Sequence, residues 1–147
     1  MSRYGYSIFC DDVRNEVGGK LSFVGCYNAV MFIPRVTSFF LPKFCIHTHI
    51  VSPAAEPFRS IYVRCYAPGS SEPIVEELID TPALSDQRRL VSELETGREA
   101  PKIIVAAASI ILSPFEIRGP GLISMRAVVD DARDEVSLGS LRVVVAD

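Results

Sequence analysis

Two stretches of strict alternation constrain this chain more than anything else in it. From Lys43 to Val51 (KFCIHTHIV), Phe44, Ile46, Thr48 and Ile50 fall on one side, and Cys45, His47, His49 and Val51 on the other. From Arg59 to Tyr66, Ile61, Val63 and Cys65 oppose Tyr62, Arg64 and Tyr66. A period of two sends successive side chains to opposite faces of a strand, so each stretch reads as a strand with one face in a core. In the second, the Ile/Val/Cys set is expected inside and Tyr62, Arg64 and Tyr66 outside.

The other segments extend the same pattern. Tyr6 to Cys10 and Lys20 to Tyr27 read as a founding hairpin whose charged loop closes on Gly18-Gly19, where backbone with positive φ is cheap. Ala29 to Ile33 prolong the second strand until Pro34 removes a ladder donor. Pro34 to Pro42 is a connection. Its Phe39, Phe40 and Leu41 are expected either to plug one end of the fold or to meet a partner, because three exposed apolar residues in a row are unusual. Pro73 to Ile79, with Glu76-Glu77, suits an edge strand.

One helix is expected between Thr81 and Glu95. Thr81 can cap it, Pro82 suits its first position, Leu84, Gln87, Val91 and Leu94 form a stripe, and Gly97 ends it. Ile103 to Leu112 is apolar on both faces, so something should cover its second face, and the preceding helix is nearest. Leu122 to Val129 and Leu138 to Ala146 close the fold around Asp130 to Ser137. About eight strands at this spacing with one short helix give a mainly β, single-domain antiparallel β-sandwich.

A chain of 147 residues, 48% hydrophobic and 22% charged, is one globular domain that buries enough surface to need no staple. A net charge of -3 with no Lys/Arg run argues against nucleic acid, since phosphate contact needs clustered cations. No stretch has the length of a membrane span, and the start lacks the apolar core of a secretory signal, so no membrane partner and a cytoplasmic location are expected. Cys10, Cys26, Cys45 and Cys65 have no C-x-x-C spacing and read as four reduced, buried side chains.

The opening FCDDVRNEVGGKLSFVGCY, Phe9 to Tyr27, resembles the start of a family of small, functionally uncharacterised bacterial and phage proteins. The closing FEIRGPG, RAVVDD and LGSLRVVV are similar to that family's end. The resemblance implies an Ig-like sandwich and no known activity, and it carries over no catalytic residue.

Three candidate sites follow. If the strands alternate up and down, Asp11, Asp12, Glu16, Asp130, Asp131 and Asp134 share one rim. Clustered carboxylates suit a hard cation such as calcium, while Arg14, Lys20 and Arg133 could instead neutralise them as ion pairs. His47 and His49 leave the same face of one strand, a spacing zinc sites use, and are otherwise surface histidines. The same outward face could present Tyr62, Arg64 and Tyr66 beside the histidines as a platform for a partner, or be an ordinary sheet face with cross-strand pairs.

No nucleophile elbow, P-loop, H-E-x-x-H or dinucleotide turn is present, so no enzyme and no cofactor is expected. The chain reads as a binding protein, with another protein or itself as partner through an edge strand or through Phe39, Phe40 and Leu41. The alternative is a small-molecule or metal binder at the acidic rim or on the His/Tyr face.

Overall fold

The computed structural model describes residues 2–94 and 102–146. Among them are twelve strands and one helix: β1 (Tyr4–Cys10), β2 (Asp12–Asn15), β3 (Leu21–Val24), β4 (Val30–Ile33), β5 (Phe39–Leu41), β6 (Phe44–Pro53), β7 (Ile61–Tyr66), β8 (Val75–Ile79), α1 (Leu84–Leu94), β9 (Ile103–Leu112), β10 (Phe115–Ile117), β11 (Gly121–Val129) and β12 (Val136–Val145). The fold is a β-sandwich. A three-stranded sheet, β1-β6-β9, packs on a five-stranded sheet, β4-β12-β11-β7-β8, and two short ribbons, β2-β3 and β5-β10, complete it.

Alternation builds the core between the layers. Phe9, Ile46, Ile50 and Ile110 face Ile61, Val63, Cys65, Ile123, Met125, Leu141 and Val143. Phe44 is fully buried and stacks on Phe115, with ring centroids 5.1 Å apart. In the ribbon β5-β10, Phe39 and Leu41 pack against this core and plug one end of the sandwich, while Phe40 between them points outward.

Several expectations are corrected. Gly18 and Gly19 do adopt positive φ, but the strand they return, β3, pairs with β2 and not with β1. The ladder leaves β1 at Asp11, whose amide turns to the carbonyls of Val24 and Gly25, so β2-β3 is a separate flap. The free length of β1 pairs with β6, from Tyr4 opposite Val51 to Cys10 opposite Cys45. Residues 30–33 do not prolong the preceding strand. As β4 they run parallel to β12, the one parallel pair among the described strands.

The helix begins at Leu84, because the carbonyl of Ala83 accepts from the amides of Asp86 and Gln87, and Thr81 donates its hydroxyl to Arg59 instead of capping. The expected stop at Gly97 lies outside the described residues. Gln87 is the helix's anchor: its carbonyl accepts from the amide of Phe58 at 2.9 Å, and its amide donates to the carbonyls of Phe58 at 2.7 Å and Pro82 at 2.8 Å. Held there, α1 lines the open side of the sandwich between Ile79 and the edge of β9. It does not roof the outer face of β9, where Val105 and Ile111 are 50% and 55% exposed.

In β12, Leu138 and Gly139 together oppose Met125, a bulge at which Gly139 takes φ +90. The bulge brings Leu138 against β1 at Gly5. Among the described residues no helix is long and apolar enough to cross a membrane.

Candidate interaction surface

The outer face of the three-stranded sheet follows from its register. Tyr4, Val51 and Val105 form one row, Tyr6, His49 and Ala107 the next, then Ile8, His47 and Ser109, then Cys10, Cys45 and Ile111. No Asp, Glu, Lys or Arg occurs in β1, β6 or β9, on either face. For an inner face this is ordinary; an outer face in contact with water normally alternates to polar residues.

Half of this face is covered by the chain itself. The β2-β3 flap lies over the Cys45 end: Phe23 meets the His47 ring at 5.2 Å, and the Cys45 thiol donates to the carbonyl of Asp11 at 3.6 Å. Beyond the flap Tyr4, Tyr6 and Val105 are each about half exposed, as is Ile111 on β9 at the flap end, whereas Val51 between Tyr4 and Val105 is buried.

His47 and His49 are therefore not the surface pair the alternation suggested. His47 is 4% exposed, its Nδ1 lies 2.7 Å from the Ser109 hydroxyl, and His49 meets it edge-on at 4.6 Å. Burial first, and the neighbouring His49 second, hold the His47 pKa below the usual imidazole value, so its neutral form is favoured. Tyr6 stacks on His49 at 4.7 Å, so Tyr6, His49, His47 and Phe23 make a continuous aromatic row.

Tyr62, Arg64 and Tyr66 do not join this face. The turn after Pro53 carries the chain from one layer to the other, and β7 pairs with β8 and β11, so these side chains leave the opposite side of the sandwich. There Arg64 and Tyr66 have acidic partners. Arg64 pairs with Glu76 at 2.7 Å and Glu135 at 3.4 Å; Tyr66 donates to Glu135 at 3.0 Å; Arg126 bonds Glu135 at 3.2 Å and lies 4.8 Å above the Tyr66 ring. Phe32, Leu78 and Leu122 are also exposed on this face, so it differs from the other sheet in carrying paired charges and not in lacking exposed apolar groups.

The acidic rim is divided. Asp12 pairs with Lys43, just before β6, and Asp11 accepts from the Tyr27 hydroxyl, whereas Asp130 pairs with Arg3, just before β1. Because β1 and β6 are antiparallel, these positions sit at opposite ends of β1, more than about 20 Å apart at strand rise. The extra reversal at the β2-β3 flap changes which end each later connection occupies. Among the described residues no group of three His, Cys, Asp or Glu side chains is placed to hold a metal ion.

Asp130 and Asp131 instead form a tight turn, both with positive φ, closed by the Ala132 amide donating to the Val129 carbonyl. The Asp130 carboxylate also accepts from the amides of Arg59 at 2.6 Å and Ser60 at 3.2 Å. Burial opposes its charge, but these amides and Arg3 outweigh it and hold its pKa below the usual carboxylate value. That stabilisation is present above about pH 4 and is lost as pH falls through the lowered pKa. Asp130→Asn is expected to lower stability at neutral pH by about 2 kcal/mol and to flatten the acid limb of a denaturation series, because Asn tolerates the turn but cannot carry the charge.

The four cysteines are free, and three are buried as expected; Cys26 is exposed because it follows β3 in a turn and lies in no strand. Burial first, then the neighbouring thiols of Cys45 and Cys26, pushes the Cys10 thiol up to about 11, the opposite of an activated nucleophile.

Alternation within any single strand does not disclose this face; the shared absence of Asp, Glu, Lys and Arg from three separated strands does. Comparison with protein-family models, with curated proteins and with solved structures finds no match to the chain.

Proposed function

We propose that the chain is a cytoplasmic, non-enzymatic protein that works by protein–protein association, through the open face and free edge of the β1-β6-β9 sheet. The observation that carries this reading is the contrast between the two outer faces. One holds a paired Arg/Glu network, and the other is uncharged and leaves Tyr4, Tyr6, Val105 and Ile111 half exposed. An exposed apolar and aromatic patch without charge is costly to keep in water and is the composition of an interface centre. The cytoplasmic assignment is supported by Cys10 and Cys45, which face each other across a strand pair as free thiols.

A second copy is the partner against which the surface can be tested directly. Light scattering over a wide concentration range should give a mass above that of one chain. The double substitution Val105→Lys with Ile111→Lys should restore the single-chain mass with an unchanged melting temperature, since both side chains are solvated in the lone subunit. Leu122→Lys, on the other sheet, should leave association intact. A single-chain mass at every concentration, or association that survives both lysines, would remove the reading.

A further inference from the structure

Four strands border the two main sheets: β1 and β9 in one, β4 and β8 in the other. Three of these borders are short or guarded. β4 has four residues, β8 carries Glu76 and Glu77, and β1 has the β12 bulge lying against Gly5 and Ser7. β9 is different. It has ten residues, no charge, no proline and no break in its register with β6, and no described strand pairs with its other side. A long, flat, uncharged border is the kind that natural proteins pair or cover.

Residues of β9 from Ile103 to Ala107 line a groove of about 310 Å3 whose other wall is Gln87, Leu90 and Val91 of α1, while from Ala108 to Leu112 no described element flanks the free side of the strand in that groove. The occupant suited to such an edge is another strand, because only a strand answers a row of amides and carbonyls at the right repeat.

We infer that β9 pairs antiparallel with β9 of a second copy, about a two-fold axis through Ala107. This rests on the association reading above and names its partner. The side-chain sequence of β9 is symmetric in size about that residue: Ile103 answers Ile111, Ile104 answers Ile110, and Ala106 answers Ala108, with only Val105 against Ser109 unequal.

A two-fold axis normal to the sheet keeps each face on its own side, so it must pass through a residue and not between two. Centring on Ala107 satisfies this. It places Ile103 of one copy opposite Ile111 of the other on the outer face, and Ile104 opposite Ile110 on the inner face. The two subunits each carry a net charge of -3, and this border brings them together where neither has a charged strand residue. The product is one continuous sheet of order β1-β6-β9-β9-β6-β1.

The test is a thiol scan in a Cys26→Ser background, which removes the one exposed native thiol. With oxidised glutathione as oxidant, Ala107→Cys should give a covalent dimer on a non-reducing gel at least about tenfold faster than Val105→Cys, because only residues opposite their own copy fall within disulfide reach. Val105→Cys mixed with Ser109→Cys should cross-link as a pair. If the protein associates but Ala107→Cys and the mixed pair both fail, β9 self-pairing is overturned while the association reading stands. If the protein is a single chain throughout, both fall.

Discussion

Phe44→Ala is expected to cost about 4 kcal/mol and to lower the melting temperature by roughly 10–15 °C. Phe44 is fully buried and packs on three aromatic rings, Phe115 at 5.1 Å, Tyr27 at 5.8 Å and Phe9 at 6.2 Å. Those rings come from β1, from β10 and from the connection between β3 and β4, so no single element can move in to fill the space left by truncation. The loss is transfer energy together with a cavity that does not collapse. Phe44→Leu, which keeps most of the volume, should cost clearly less when both variants are compared by urea titration. Equal losses for the two variants would show that stacking geometry, and not filled volume, carries the effect.

Gly5→Ala should destabilise by about 3 kcal/mol, a large effect for one added methyl group. A Cβ at Gly5 would collide with the carbonyl oxygen of His49 and with Cδ2 of Leu138. The first obstacle is backbone held in the β1-β6 ladder; the second is a fully buried side chain fixed by the β12 bulge. Neither yields cheaply. Leu138→Ala in the Gly5→Ala background should recover only part of the loss, because the His49 carbonyl stays where the ladder puts it. A melting temperature for Gly5→Ala equal to that of the parent would mean that β1 can draw away from β12 at little cost.

What the sequence disclosed was local. The inward set Ile61, Val63 and Cys65, the outward set Tyr62, Arg64 and Tyr66, the positive-φ turn at Gly18-Gly19 and the two-layer architecture all follow from short-range periodicity and turn chemistry. What it concealed was pairing between distant segments. Nothing near Tyr4–Cys10 says that its neighbour is Phe44–Pro53 and not Leu21–Val24, because both offer alternating apolar residues and the choice is made by the turn of the chain at Asp11. The same gap misplaced the candidate sites. His47 is buried by a flap that belongs to another part of the chain, and Asp12 and Asp130 are separated by the length of a strand that an up-and-down count had assigned to the wrong direction.

The parallel union of β4 with β12 also bears on how the molecule comes into being on the ribosome. Val30 finds its neighbour only when Arg142 has been made, and Tyr4–Cys10 must wait for Phe44–Pro53, so the five-stranded sheet cannot be completed until β12 has emerged. Maturation is therefore expected to be slow, with β4 left without its neighbour and β6, β9 and their uncharged flanks open to chance encounters until β12 locks into place.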